Sequence, residues 1–157
     1  MKHEQKAHIL VVDDDPFTLD STTLLIRELG YEVSACPRAR EALNLLREIQ
    51  VDAVLTDIKM PEVTGLELLA QIHSEDPELP VILMTAYAEL DTAVEAIKMG
   101  AADFLIKPYR PLQLNHALKK AVDFQRLRKI ERNYKKTLEE TVRQRTMELS
   151  KALSRAP

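Results

Sequence analysis

Five polar side chains carry most of the chemistry that this 157-residue sequence offers: the carboxylates of Asp13, Asp14 and Asp57, the hydroxyl of Thr85 and the ammonium of Lys107. Carboxylates drawn into one crevice repel each other, and one of them acquires a raised pKa unless a cation is present. Mg²⁺ resolves that conflict, because it prefers oxygen ligands and is typically held by one or two carboxylates together with phosphate oxygens and waters. A hydroxyl donor, an ammonium and a magnesium ion around one carboxylate form a cradle for a transferring phosphoryl group. The carboxylate can itself be the nucleophile, forming an acyl phosphate. Lys107 precedes Pro108, a candidate cis peptide.

Each residue also has a plainer reading. Asp13, Asp14 and Asp15 can cap a helix starting at Pro16, and Asp15 is expected to do so. Asp57 can be a turn residue ahead of Met60-Pro61, Thr85 a helix cap, and Lys107 a surface charge. What separates the two readings is where the chain puts these residues.

Five short runs rich in Val, Ile and Leu, apolar on both faces, read as buried parallel strands: His8–Val12, Tyr31–Ala35, Ala53–Thr56, Pro80–Met84 and Asp103–Ile106. Between them lie helical periods. The first helix begins at Pro16 and ends near Gly30, with Leu24, Leu25, Glu28 and Leu29 on its period. Residues 38–49 repeat Ala42, Leu45, Leu46 and Ile49; residues 65–73 repeat Leu66, Leu69 and Ile72; residues 90–99 repeat Ala93, Val94 and Ile97 before Gly100. A fifth helix begins near Pro111. Five βα units imply right-handed crossovers and an α/β, doubly wound parallel sheet with helices on both faces. In such sheets the site lies at the carboxyl ends of the strands. The acidic triplet, Asp57, Thr85 and Lys107 follow strands one, three, four and five, so all fall on that one rim.

Composition narrows the function classes. Apolar residues make up 45% of the chain, enough for a core. The single cysteine, Cys36, forms no intramolecular disulfide and is read as a small packed residue, which suits a reducing cytoplasm. His3, His8, His73 and His116 show no metal-ligand spacing and are read as structural. No apolar run reaches the roughly 18 residues of a membrane span, and the polar start lacks a signal-peptide core. Residues 1–125 hold 12 Lys+Arg and 21 Asp+Glu, a net −9, whereas residues 126–157 hold 10 and 4, a net +6. The basic tail reads as a solvated helix. Its sole aromatic is Tyr134 and no base-reading motif is present, so nucleic-acid binding is not expected.

Over residues 8–125 the chain resembles the receiver domains of two-component response regulators. The resemblance rests on Ile9-Leu10-Val11-Val12-Asp13-Asp14-Asp15, on Leu55-Thr56-Asp57-Ile58-Lys59-Met60-Pro61 with Gly65 beyond it, on Met84-Thr85-Ala86, and on the string from Gly100 to Pro108. The segments around Thr85 and Lys107 look most like receivers of the nitrogen-regulation type. The resemblance implies a flavodoxin-like (βα)5 sheet of order 2-1-3-4-5 and a cytoplasmic partner, a sensor histidine kinase or phosphotransfer protein. It implies that Asp57 is the phosphoacceptor. It also implies that Asp14 and Asp57 ligate Mg²⁺, with Asp13 directly or through water and with the backbone carbonyl of Lys59. Thr85 and Lys107 would hold phosphoryl oxygens. Thr85 and Phe104 would act as switch residues that reshape the face of helix four, strand five and helix five. Lys59 and Tyr87, two residues past Asp57 and Thr85, flank the path of an attacking water and are expected to slow loss of the phosphoryl group.

Residues 1–7 are expected to form a flexible N-terminus, 8–125 the receiver, and 126–157 a helical linker toward an output domain outside this chain. No Gly or Pro interrupts the chain between Pro111 and Pro157. Leu127, Ile130, Tyr134, Leu138, Val142, Arg145, Leu149 and Leu153 form one stripe with a mean spacing of about 3.7, nearer an 11-residue repeat than a heptad. One stripe on one helix argues for a homodimeric coil. The segment resembles linkers that join receivers to kinase or cyclic-dinucleotide output domains.

Two other functions compete with a stoichiometric, non-enzymatic phosphoacceptor. A phosphatase of the haloacid-dehalogenase type needs an aspartate two residues after its nucleophile, where this chain has Lys59. A degenerate receiver serving only as a dimerisation scaffold does not require the full set Asp13, Asp14, Asp57, Thr85 and Lys107.

Overall fold

A computed structural model describes residues 6–155. The chain divides into two compact units, Met1–Gln125 and Arg126–Pro157. In the first, strands β1 (His8–Val12), β2 (Glu32–Cys36), β3 (Ala53–Asp57), β4 (Val81–Ala86) and β5 (Asp103–Lys107) alternate with helices α1 (Pro16–Glu28), α2 (Ala39–Glu48), α3 (Gly65–Glu75) and α4 (Leu90–Lys98). Helix α5 spans Pro111–Ser154, and a short 3-10 turn occupies Tyr87–Glu89. All strand pairings are parallel, in the order β2-β1-β3-β4-β5. This is the flavodoxin-like sheet expected, with a long C-terminal helix.

The strands read as unbroken apolar runs because both faces are covered. Successive side chains point to opposite faces. Leu10, Val12, Val54, Val81 and Leu83 therefore pack with Ala42 of α2, Leu68, Leu69 and Ile72 of α3 and Ala96 of α4. Ile9, Val11, Leu55, Ile82, Met84 and Leu105 pack with Leu19 and Ile26 of α1 and with Leu114, Leu118 and Val122 of α5. Cys36 is buried in the first of these clusters, as its small size predicted.

Several expectations need correction. The strands reach further toward the site than the apolar runs suggested. Asp57 and Lys107 are the last residues of β3 and β5, and Thr85 lies inside β4, because the ladder pairs Asp57 with Met84, Thr85 with Ile106 and Ala86 with Lys107. In α1 the buried face is Leu19, Thr22, Thr23 and Ile26, while Leu24 is exposed. Two threonines can face the core because their hydroxyls are bonded there: Thr23 Oγ1 donates to the Leu19 carbonyl at 2.6 Å, and Thr22 Oγ1 pairs with Tyr109 Oη at 2.6 Å. A count of apolar residues misses such a face. In α4 the buried residues are Ala93 and Ala96, whose small side chains let the helix approach the sheet, while Val94 and Ile97 stay exposed.

Of the expected flexible N-terminus, residues 1–5 lie outside the described residues. Ala7 is packed in the core, and its carbonyl accepts from Glu32 N at 2.9 Å. In the second unit the apolar stripe residues Leu127, Ile130, Tyr134, Leu138, Val142, Leu149 and Leu153 are all exposed.

Candidate phosphoryl-transfer site

The carboxyl edge of the sheet brings the predicted residues together. Asp13 follows β1 and is fully buried; its Oδ1 accepts from Asp15 N at 3.0 Å. Asp14 beside it is exposed. Asp15 caps α1, accepting from Phe17 N at 3.1 Å and Thr18 Oγ1 at 2.9 Å, as expected of it. The Thr18 bond does most to hold the Asp15 carboxyl below its ordinary pKa. Asp13, Asp14 and Asp57 each offer an oxygen within 4.8 Å of the others.

Lys107 Nζ lies 3.1 Å from Asp57 Oδ2 and 3.2 Å from Asp13 Oδ2. Burial pushes the Asp57 carboxyl above its ordinary pKa and Asp13 adds to that, while Lys107 opposes it. For Lys107 itself burial works against the charge, but Asp57 and Asp13 outweigh it and the ammonium is held above its ordinary value. The Lys107–Pro108 bond is cis. Three carboxylates and one ammonium leave a surplus of negative charge, and their oxygens are hard donors. This set fits a hard divalent cation.

Thr85 is buried at the same edge, with its hydroxyl donating to the Ala86 carbonyl at 3.0 Å and to the Glu89 carbonyl at 3.5 Å. Lys59 is in the β3–α3 loop, and its ammonium pairs with Glu89, which raises its pKa. Phe104 is half-buried, packed against the cluster beneath α2, α3 and α4. The Tyr87 side chain lies outside the described residues. His8 bonds Ser34 Oγ at 2.7 Å and His73 the Leu79 carbonyl at 3.1 Å, in keeping with structural roles. His3 lies outside the described residues.

The β3–α3 loop is held by close packing. A Cβ on Gly65 would run into the Asp57 carbonyl oxygen and come within 2.8 Å of the Ile58 Cα, so only glycine lets α3 start this near Asp57. Gly65 N also donates to the Ile58 carbonyl at 2.8 Å.

Two features escaped the sequence. Glu89 links Lys59 with the segment after β4, and an acidic residue ahead of a helix reads ordinarily as a response to the helix dipole. Tyr109 ties the β5–α5 loop to Thr22 of α1, a contact across 87 residues that no local pattern announces.

Comparisons with known proteins agree with this geometry. The family described as the response regulator receiver domain matches residues 9–119. The regulatory protein AtoC of Escherichia coli is 40% identical over 121 residues, covering 77% of this chain and 26% of AtoC. The transcriptional regulatory protein ZraR of Klebsiella oxytoca is 43% identical over 123 residues, 78% of this chain and 28% of ZraR. The chain thus spans about a quarter of the length of these relatives. A solved receiver domain from Clostridium thermocellum superposes with a TM-score of 0.75 at 34% identity, covering 77% of this chain and 98% of that one.

Proposed function

This chain belongs to the response regulator receiver family of two-component signalling, and from that membership we propose that it accepts a phosphoryl group on Asp57 in a Mg²⁺-dependent reaction. The observation that carries the reading is the shared cation: Lys107 Nζ bridges Asp57 and Asp13 at the carboxyl edge of the sheet, beside Asp14.

In the proposed reaction an Asp57 oxygen attacks the phosphorus of a phosphohistidine on a sensor kinase or phosphotransfer protein. The P–N bond breaks, the histidine nitrogen leaves, and an acyl phosphate forms. Asp13, Asp14, Asp57 and the Lys59 carbonyl would hold Mg²⁺, which supplies positive charge to the phosphoryl oxygens. Lys107 stays within reach of the Asp57 carboxylate and supplies a second positive charge. Thr85 turns its hydroxyl from the backbone carbonyls to a phosphoryl oxygen, and Phe104 follows into the space behind it. The face of α4, β5 and α5 then changes shape and passes the signal to an output domain or partner. The group is lost when water attacks phosphorus and the P–O bond to Asp57 breaks, releasing inorganic phosphate. Turnover of that kind is slow and stoichiometric, so the chain acts as a switch and not as an enzyme.

Residues 8–125 are the phosphoacceptor in this reading, and 126–157 a linker whose exposed stripe pairs with a second copy. A cytoplasmic setting accords with the family; among the described residues no helix is long and apolar enough to cross a membrane. Nothing favours a dehalogenase-type phosphatase: the position that chemistry needs for an acid holds Lys59, which pairs with Glu89. The direct test is Mg²⁺-dependent labelling of wild type and Asp57→Asn with acetyl phosphate or a phosphorylated kinase.

A further inference from the structure

Glu89 is engaged in a way that the transfer chemistry does not call for. It stands at the N-cap position of α4, with φ −118° and ψ 26°, yet its side chain makes no capping bond. That is the position where Ser, Thr, Asp or Asn ordinarily satisfies the first helical N–H groups. The carboxylate instead crosses to Lys59 in the β3–α3 loop. The pair is lopsided: the Glu89 side chain is 15% exposed and that of Lys59 81%. The Thr85 hydroxyl donates to the Ala86 carbonyl at 3.0 Å, and the Glu89 carbonyl stands at the outer edge of its reach, 3.5 Å away. Glu89 thus holds the Lys59 ammonium through its carboxylate, while its carbonyl lies beside the Thr85 hydroxyl.

We propose that Glu89 is a positioning residue whose pair with Lys59 fixes the segment between β4 and α4 with the Thr85 hydroxyl held on the backbone carbonyls of that segment, so that Glu89 sets how fast Asp57 is phosphorylated and how long the phosphoryl group stays. The proposal rests on the reading of Asp57 as acceptor. A phosphoryl group on Asp57 brings nearly two negative charges and three acceptor oxygens. It competes with Glu89 for Lys59, two residues along the same loop, and for the Thr85 hydroxyl. When Lys59 moves to the phosphoryl oxygens, the start of α4 loses that ionic tether to the β3–α3 loop and is freer to shift. The ligand acts by binding one of two arrangements better than the other, as a population shift requires. An ion pair this open to water is weak, so the resting arrangement is biased and not locked.

The test uses the full chain, acetyl phosphate and Mg²⁺, and measures both the rate of labelling and the decay of label after the donor is removed. Glu89→Gln keeps the size of the side chain and removes its charge. It should label about two- to fivefold faster, the scale of a partly exposed ion pair. Its label should also decay more slowly, because Lys59 is released to the phosphoryl group. Lys59→Met should label faster as well, but its label should decay no more slowly than that of wild type. The double variant should match Lys59→Met in both rates. A purely structural role for Glu89 would not make the slower decay depend on Lys59. Should Glu89→Gln fail to fold, the exposed Lys59→Met carries the test through its labelling rate. Unchanged rates in the single variants, or effects that multiply in the double variant, would overturn the proposal while wild type still labels. Absence of label on wild type would instead overturn the Asp57 reading beneath it.

Discussion

Lys107 Nζ stands 3.1 Å from Asp57 Oδ2, although 50 residues of chain separate the two. The contact exists because β5 and β3 flank β4 in parallel register and both end at the same edge of the sheet. Lys107 also reaches Asp13, so one ammonium serves two carboxylates. With Asp14 alongside, the group keeps more negative than positive charge. That imbalance makes the metal-free site electrostatically costly and gives the following expectations their sign.

The first concerns pH. Burial, with Asp13, raises the folded-state pKa of Asp57 above its unfolded value. For a carboxyl raised in this way, the stability it contributes is fully present below the unfolded pKa and is lost as pH rises through the folded pKa. Metal-free Asp57→Asn should therefore melt above wild type at neutral pH. The gap should close as pH falls through the carboxylate range. Thermal melts of the two proteins across pH check this, and a gap that widens on acidification would contradict it.

Asp14 is the exposed member of the acidic trio, so its removal should leave the fold intact. Asp14→Ala is expected to weaken Mg²⁺ binding by about tenfold or more, as loss of a charged ligand from a site with few protein donors should. It should leave the metal-free protein as stable as wild type or more so, since one repulsive charge is gone. Calorimetric titration with Mg²⁺ measures the first effect and a metal-free melt the second. Unchanged affinity would remove Asp14 from the ligand set.

Gly65→Ala tests the packing under Asp57. The new methyl meets backbone atoms of Asp57 and Ile58, which cannot rotate away as a flexible side chain can. A cost of about 1–3 kcal/mol is expected, the range for overpacking. Labelling of Asp57 should slow as well, because the β3–α3 loop must move. A melt and a labelling rate both equal to wild type would show that the loop accommodates the methyl.

The exposed stripe from Leu127 to Leu153 is expected to join two copies. Deletion of residues 126–157 should leave a monomeric receiver at micromolar concentration, whereas the full chain should sediment as a dimer, at least when phosphorylated. A full chain that stays monomeric in both states would remove the coil from the account.

The parts of the fold that were legible in advance share a physical cause. Strands covered on both faces must be apolar throughout, so β1, β3 and β4 stand out, and the rule that sites gather at strand carboxyl ends then groups Asp13, Asp57, Thr85 and Lys107. Legibility failed where side chains, not periods, decide. The buried face of α1 holds Thr22 and Thr23, which are tolerated there because Tyr109 and the Leu19 carbonyl take their hydroxyls. α4 turns two alanines inward and leaves Val94 and Ile97 outside. The bond from Lys59 to Glu89 depends on how far two long side chains reach across neighbouring loops. The expected role of Lys59 beside a phosphoryl group therefore starts from an ammonium already committed elsewhere.

The central claim is that Asp57 is the phosphoacceptor, and intact-protein mass spectrometry after acetyl phosphate treatment tests it most directly. Wild type with Mg²⁺ should gain the mass of one phosphoryl group. The gain should be absent when Mg²⁺ is chelated and absent in Asp57→Asn, because an amide is neither a competent nucleophile nor a charged metal ligand. Undiminished, Mg²⁺-dependent labelling of Asp57→Asn would place the chemistry on another residue and contradict the account.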